Sequence, residues 1–356
     1  MKTLKYEDLI VWETRLPRKS QCNAVGFDHR PNPLIVGNMV IYDSFSPGRL
    51  IALDKKNGNL LWKIKLNYLG GHNIVCHQGL LYSGTSQEVL CINPKNGKVI
   101  WQFAPYGLSY EHFYSGYTLD NGRLYLGDRK GFLYCLNAKT GEVLWKQQTG
   151  SGNRNQLNAT PIIDGSLIYA VNICYKLSVF NKNTGAKIWD CKVKDGSIYP
   201  PTITKECIYI QSDEGLTTLS KKKRQVVARE KFKGFKISGF IVIGKNKFLL
   251  VSKKDRKDDK ITYIAEYREG KLINKIKLGE YIFRLGEVDR DLFSIVGFHD
   301  IFLYSSKKKK MVLNIKWDKK NKRFPWPNTP SFEGNKMYIA EFTGYASVLK
   351  LPFAIK

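Results

Sequence analysis

Residues Cys135–Trp145 read CLNAKTGEVLW, and three other segments of the chain align with this one without a gap. Each segment begins with a small or apolar residue, passes through an Asp or Asn and then a Gly, and ends on Trp. The other copies are Ala52–Trp62 (ALDKKNGNLLW), Cys91–Trp101 (CINPKNGKVIW) and Val179–Trp189 (VFNKNTGAKIW). Their tryptophans recur every 39 to 44 residues, a spacing typical of the four-stranded blade of a propeller repeat.

The repeated segment has the composition of a β-hairpin. Its Asp or Asn can hydrogen-bond its own backbone in a turn, and its Gly can take the positive φ that closes a short loop. Alternating apolar runs flank the turn, and a second pair of strands precedes each copy, as in Tyr117–Leu126 and Thr160–Ala170. Each repeat is therefore predicted to form four antiparallel strands.

Beyond residue 200 the motif decays, but its spacing continues. The segments predicted as hairpins or strand pairs are Thr202–Gln211, Leu216–Arg229, Phe240–Val251, Thr262–Lys277, Asp291–Val296, Ile301–Lys316, Pro330–Ala340 and Tyr345–Leu351. Leu9–Arg15 reads as a Trp-bearing outer strand with no strands before it, and it would complete the last blade and remove an exposed edge. We therefore predict an all-β fold, an eight-bladed β-propeller closed by the N-terminal strand, in a single domain spanning 1–356. Its repeats are well formed over 17–200 and degenerate over 201–356.

The four good copies resemble the tryptophan-docking repeat of pyrroloquinoline-quinone-type propellers. That family includes quinoprotein dehydrogenases and non-enzymatic members such as the outer-membrane-assembly propeller lipoprotein. The resemblance implies that the Trp side chains pack between blades, and Trp12, Trp62, Trp101, Trp145 and Trp189 are assigned this structural role. It says little about activity, because one architecture hosts many functions.

Candidate functional residues lie in the loops that join one blade to the next and the second strand of a blade to its third. In propellers of this kind these loops gather at one end of the fold, and loops on a rigid scaffold often carry function. The aromatic, Arg and Asn side chains here suit a recognition surface. The candidates are Tyr106, Tyr110, Glu111, His112, Arg129, Arg154, Asn155, Tyr175 and Trp326.

The charge pattern suggests a second surface. The chain of 356 residues carries 58 Lys and Arg against 31 Asp and Glu, a formal net charge of +27. Many of the basic residues fall in the turn between the third and fourth strands, so we predict a basic rim. The rim residues are Lys55, Lys56, Lys221, Lys222, Lys223, Arg224, Lys307, Lys308, Lys309 and Lys310. Such a rim would attract an acidic protein, nucleic acid or acidic lipid.

The sequence favours a protein without catalytic activity. Glu111, His112 and Asp128 could be grouped as an acid/base or metal site, but no further His or Cys stands at metal-ligand spacing. Enzymes of the resembling family carry a divalent cation site, a catalytic Asp and often a disulfide between adjacent cysteines, whereas no two of the seven cysteines here are adjacent. No cofactor and no metal are predicted from the residues, and pyrroloquinoline quinone with calcium is implied by the resemblance alone.

The composition and the first residues also predict where in the cell the protein is located. The chain is 43% hydrophobic with no apolar run long enough to span a membrane, and its first twenty residues lack the apolar core of an export signal. The widely spaced cysteines are expected to be free thiols, most of them in the core. A cytoplasmic location is predicted.

The functional prediction is a propeller scaffold that binds a protein partner, one that could be acidic, through its loops. Two alternatives stay open: a quinone-dependent or other small-ligand enzyme using the central channel, and a binder of nucleic acid or acidic lipid through the basic rim.

Overall fold

A computed structural model of the chain describes most of its residues. The described residues are 2–16, 32–45, 48–66, 74–107, 115–150, 155–174, 176–193, 199–212, 215–253, 261–280, 282–317, 329–341 and 345–355. They form strands almost throughout, and the one helical segment among them is the short 3-10 turn Glu7–Leu9.

The turn of each good repeat shows why its sequence makes a hairpin. The Oδ1 atom of Asn137 accepts hydrogen bonds from the backbone N–H groups of Lys139 and Thr140 at 2.9 and 3.2 Å. Gly141 takes a φ of 80° and donates its N–H to the Asn137 carbonyl at 2.8 Å. Only Gly adopts this backbone without strain. The strands on either side then pair in antiparallel register, with Cys135 opposite Trp145.

Residues Asn67–Lys233 form one of two compact units. It contains four antiparallel sheets of four strands that follow the chain order, called blades 2 to 5. Blade 2 is β7 (Val75–His77), β8 (Leu80–Gly84), β9 (Val89–Ile92) and β10 (Val99–Phe103). Blade 3 is β11 (Tyr117–Asp120), β12 (Arg123–Gly127), β13 (Phe132–Asn137) and β14 (Val143–Gln148). Blade 4 is β15 (Ile162–Asp164), β16 (Leu167–Asn172), β17 (Lys176–Asn181) and β18 (Lys187–Lys192). Blade 5 is β19 (Thr202–Ile203), β20 (Cys207–Gln211), β21 (Gly215–Ser220) and β22 (Gln225–Lys231).

The other unit consists of Met1–Leu66 with Gly234–Lys356. Blade 1 is β3 (Leu34–Val36), β4 (Met39–Phe45), β5 (Gly48–Asp54) and β6 (Leu60–Lys65). Blade 6 is β23 (Phe235–Ile243), β24 (Asn246–Lys253), β25 (Ile261–Arg268) and β26 (Lys271–Glu280). Blade 7 is β27 (Ile282–Asp289), β28 (Leu292–Gly297), β29 (Asp300–Ser305) and β30 (Lys310–Lys316). Blade 8 is β31 (Ser331–Glu333), β32 (Lys336–Ala340), β33 (Tyr345–Lys350) and the N-terminal β2 (Ile10–Arg15).

The predicted fold class, an eight-bladed β-propeller closed by the N-terminal strand, is confirmed. Strand β2 pairs with β33 and places Trp12 opposite Val348, as each good repeat places its Trp opposite a small or apolar residue. That one domain spans the chain stays a prediction.

A strand that the sequence analysis missed reinforces the closure. Strand β1 (Lys2–Lys5) pairs in parallel with β30, so blade 7 gains a fifth strand. Between β1 and β2, Tyr6 is buried and stacks on Trp317 with ring centroids 4.5 Å apart. Its hydroxyl donates to the Glu13 carboxylate in blade 8 at 2.9 Å. The N-terminal segment thus ties blade 7 to blade 8.

The hydrophobic core lies between neighbouring blades. One buried cluster joins blades 2 and 3 through residues such as Tyr82 and Leu124, and others join blades 3 with 4 and 4 with 5. In the second unit, corresponding clusters join blades 6 with 7, 7 with 8 and 8 with 1. Blades 3, 4, 7 and 8 are therefore buried on both faces of their sheets.

The assigned tryptophans make a repeated contact in this core. The Trp101 indole N–H donates to the Ala138 carbonyl at 3.0 Å, and a Cβ on Gly141 would lie 2.8 Å from the indole. Trp145 makes the same contact with Gly185 of blade 4, and Trp12 makes it with Gly58 of blade 1. Trp62 is buried and Trp189 is half-buried.

The prediction that most cysteines are core residues was wrong for the described part of the chain. The six described cysteines are free, and of these Cys91 and Cys135 are buried. Those two lie opposite the Trp of their own hairpin and belong to the buried clusters between blades, whereas the other four are half-buried. Cys22 lies outside the described residues. No helix among the described residues is long and apolar enough to cross a membrane.

The contact between indole and glycine predicts unequal effects of two similar substitutions. Gly141→Ala and Gly165→Ala both place a Cβ at positive φ, which costs roughly 1 kcal/mol. Gly165 has open space around it, whereas Gly141 would clash with Trp101, and overpacking adds about 1–3 kcal/mol. Urea unfolding of the two variants should show the larger loss for Gly141→Ala. Equal losses would contradict the proposed packing role.

Candidate functional site

The candidate site is built around Asp128, which directly follows β12 and begins the loop to β13. Its carboxylate is fully buried. Oδ1 accepts the backbone N–H groups of Lys130 and Phe132 at 2.9 and 2.8 Å. Oδ2 accepts the hydroxyls of Tyr134 at 2.9 Å and Tyr106 at 3.0 Å. With four donors the buried carboxylate is fully satisfied, and it fixes the loop to the strand and to Tyr106.

Aromatic and cationic side chains cover this carboxylate. The Lys130 ammonium lies 3.9 Å from the Tyr106 ring centroid, and the Lys146 ammonium lies 3.8 Å from that of Phe132. Lys146 is also 5.1 Å from the Tyr134 ring, its cross-strand partner. Both lysines are exposed, whereas Tyr106 and Phe132 are half-buried. The result is a surface with aromatic rings held in place and two positive charges above them, which we call the Asp128 surface.

Burial makes the two tyrosines poor acids. Desolvation raises the pKa of Tyr134 far above its usual range, with further contributions from the Tyr106 hydroxyl, 3.0 Å from that of Tyr134, and from the Asp128 charge. Desolvation also raises the pKa of Tyr106. Both hydroxyls therefore keep their protons at neutral pH and stay donors to Asp128.

Three of the predicted loop residues lie around this surface. Tyr106 belongs to it directly, and Arg129 is in the turn that Asp128 caps. Asn155 is buried next to Gly131, whose Cβ position would be 2.7 Å from the Asn155 Cβ. The remaining candidates, Tyr110, Glu111, His112, Arg154, Tyr175 and Trp326, lie outside the described residues.

Sequence reasoning missed the strand residues of the surface. Tyr134, Phe132 and Lys146 lie on β13 and β14, not in loops, so a search of the loops passed over them. The hairpin register could have found one pair, because it places Lys146 opposite Tyr134 once Trp145 is aligned with Cys135.

Some lysines predicted for the basic rim form ion pairs between blades. The ammonium of Lys55 lies 2.8 Å from Glu333 of blade 8, and Lys221 pairs with Asp164 of blade 4. Lys182 makes the corresponding contact with Asp120 at 2.6 Å. In each pair the first basic residue of a turn meets the acid that ends the first strand of the preceding blade. Surface pairs of this kind contribute little to stability, about 0–1 kcal/mol, but they remove positive charge from the rim.

The other rim residues are exposed and form no ion pair within the described part of the chain. They are Lys56, Lys222, Lys223, Arg224, Lys307, Lys308, Lys309 and Lys310. Arg224 and Lys309 have φ values of 55° and 51°. They occupy the turn position that Gly holds in the good repeats. Ser220 and Ser305 replace the turn Asp or Asn and cap the backbone of Lys223 and Lys308.

The described residues do not fit pyrroloquinoline quinone with calcium. Calcium takes six to eight oxygen ligands, and no three His, Cys, Asp or Glu residues of the described set come close enough to hold a metal ion. Asp128 already uses both oxygens on four donors. Glu111 and His112, which the sequence analysis grouped with it, are outside the described residues.

Comparisons with known proteins agree with the repeat pattern. The PQQ_2 family, described as outer membrane protein assembly factor BamB, matches residues 8–107 and 85–223, more than half of the chain. A curated relative, the outer membrane protein assembly factor BamB of Legionella pneumophila (strain Paris), is 26% identical over 197 residues, covering 52% of this chain and 49% of the relative. The matched part therefore spans about half the length of that relative.

Two solved structures show the same fold. BamB from Moraxella catarrhalis is 15% identical with a TM-score of 0.58, and the match covers 88% of this chain and 82% of that one. A quinohemoprotein alcohol dehydrogenase from Pseudomonas putida HK5 is 10% identical with a TM-score of 0.70, covering 99% and 78%. Identities this low establish similarity of fold and carry no conclusion about activity.

The Asp128 surface predicts a selective loss of stability. Tyr134→Phe removes a hydrogen bond to a buried charge, about 1.5–3 kcal/mol. Tyr125, which is also a buried residue, donates to the neutral Lys182 carbonyl, and Tyr125→Phe removes that hydrogen bond, about 0.5–1.5 kcal/mol. Chemical unfolding at pH 7 should show the larger loss for Tyr134→Phe, and a smaller or equal loss would contradict the assigned geometry.

Tyr134 also predicts how the unfolding free energy changes at alkaline pH. Unfolded tyrosine loses its proton near pH 10, whereas buried Tyr134 keeps it, so this contribution to stability is complete below pH 10 and falls as the pH rises further. The unfolding free energy of Tyr134→Phe should decline less steeply above pH 10 than that of the wild type.

Proposed function

The chain belongs to the family described as outer membrane protein assembly factor BamB, and we propose that it is a propeller scaffold that binds a protein partner through the Asp128 surface. The observation that carries this proposal is the set of side chains held over one buried carboxylate. Interfaces are enriched in aromatic anchors that are already ordered before binding, because less side-chain entropy is then lost. The half-buried Tyr106 meets this condition through its hydrogen bond to Asp128, and the buried Tyr134 holds the same carboxylate through a second hydrogen bond.

The charges of the surface favour an acidic partner. Lys130 and Lys146 are exposed above the rings, and the one carboxylate beneath them is buried. An acidic or aromatic segment of a partner would meet complementary charge at the edge and flat rings at the centre. Charge complementarity of this kind raises the association rate and suppresses wrong partners. The acidic character of the partner and a cytoplasmic site of action are parts of this proposal.

Charge reversal at one end of a single hairpin tests the proposal. Lys146→Glu should reduce copurification of the partner from the native host at least tenfold, because it reverses the charge over Phe132 and Tyr134. Lys139→Glu changes the same charge in the exposed turn at the other end of the β13–β14 hairpin and should leave copurification unchanged. Equal capture by both variants, or a wild type that retains no discrete protein, would refute the assignment.

Binding to an anionic surface is a second candidate function. It is supported by the seven exposed residues Lys222–Arg224 and Lys307–Lys310, which form no ion pair in the described structure and crowd like charges into two short turns. Crowding of this kind destabilises the fold unless an anion screens it.

A salt titration tests this second function. Binding to vesicles containing phosphatidylserine, or to duplex DNA, should fall steeply with salt. Neutralising Lys307–Lys310 to Gln should weaken it further, whereas Lys55→Gln, which removes a paired lysine, should have a smaller effect. Salt-independent or absent binding to both probes would exclude this function.

A further inference from the structure

Blade 6 departs from the repeat at a core position. In each other blade the third strand places a small or apolar residue opposite the Trp position of the fourth strand, as Cys135 stands opposite Trp145. These residues are Ala52, Cys91, Cys135, Val179, Thr218, Leu303 and Val348. Blade 6 instead pairs Glu266 with Asn274. At this repeat position a carboxylate therefore stands in blade 6, where every other blade has a small or apolar side chain.

The burial of Glu266 is incompletely compensated. The residue is 2% exposed. Its Oε1 accepts the side-chain amide of Asn246 at 2.8 Å, while Oε2 is buried without a hydrogen-bond partner among the described residues. Burying a polar oxygen in this way costs about 1–3 kcal/mol. A position with such a cost is expected to have a use beyond packing.

The hydrogen bonds lead from Glu266 to the surface. The Asn246 amide is held by Glu266 on one side, and its Oδ1 accepts the Nε–H of Arg268 at 2.7 Å on the other. The chain from carboxylate to amide to guanidinium fixes the orientation of an exposed Arg. The two terminal nitrogens of Arg268 form no hydrogen bond with the described residues, so its outward-facing donors are free for a ligand.

Arg268 lines an open pocket of about 510 Å³. The pocket lies between the turn joining β23 to β24 and the turn joining β25 to β26, and its walls include Ile243, Lys245, Asn246 and Glu269. Positive φ values at Gly244, Glu269 and Gly270 bend the two turns around it. The pocket is thus lined by two cationic side chains, those of Lys245 and Arg268, and by the Glu269 carboxylate. Ile243 supplies an apolar wall.

We propose that this pocket binds the oxyanion of a small molecule, a phosphate or carboxylate group. A fixed guanidinium presents parallel N–H donors that match the oxygens of either group. Lys245 supplies a second positive charge, and Ile243 supplies contact for the rest of the ligand. The site is separate from the Asp128 surface and does not depend on the proposed partner.

Thermal unfolding of the full chain tests this site with inorganic phosphate and succinate as probes, at ionic strength held constant with sodium chloride. A ligand that binds only the folded state raises the melting temperature saturably. We expect at least one probe to do so, and the probe that acts identifies the group. Arg268→Gln should weaken the apparent affinity at least tenfold, and Lys245→Gln about threefold.

Arg290→Gln is the matched control, because Arg290 is an exposed Arg in the first turn of blade 7. It should leave the response unchanged. The inference fails if neither probe raises the melting temperature saturably, or if Arg290→Gln weakens binding as much as Arg268→Gln. Lys245→Gln keeps the test decisive if Arg268→Gln does not fold, since a response unchanged by Lys245→Gln would also refute the site.

Discussion

The contact between a tryptophan indole and the glycine of the next turn is the constraint on which the other features depend. A side chain on Gly58, Gly141 or Gly185 would collide with Trp12, Trp101 or Trp145, so the turn must contain Gly where the indole packs. The same indole donates its N–H to a carbonyl of that turn. One residue therefore supplies apolar burial, a hydrogen bond and a fixed spacing between neighbouring blades. The spacing in turn fixes where the loops at the opposite end of each blade begin.

Other residues take the place of Gly where the preceding blade lacks the indole, and also after Trp189, which is only half-buried and is followed by Arg224. Blade 6 has Asn274 at the Trp position, and the following turn in blade 7 uses Lys309 in the left-handed conformation. The basic turns at Lys222–Arg224 and Lys307–Lys310 and the pocket lined by Arg268 both occur in this degenerate half of the chain. Without an indole packed against the turn, charged residues can occupy turn positions that otherwise require Gly. These exposed charges are then available for binding.

Much of the fold could be predicted from the sequence, because the hairpin is specified locally by Asp or Asn, Gly and Trp at fixed spacing. Strand β27 was missed because Ile282–Asp289 carries no turn motif. Strand β1 was missed because Lys2–Lys5 has no apolar alternation, and its pairing depends on β30, more than 300 residues away. The Asp128 surface was predicted only in part. Tyr106 stood out as a loop aromatic, whereas Tyr134 and Lys146 became part of the surface only through the hairpin register.

The central functional claim is that the Asp128 surface contacts a protein. Site-specific photocrosslinking in the native host tests it most directly, with Lys130 replaced by p-benzoylphenylalanine and Lys139, at the opposite end of the same blade, replaced likewise as the reference. We expect one discrete crosslinked protein from position 130 and none from position 139. No discrete product from position 130, or the same products from both positions, would contradict it.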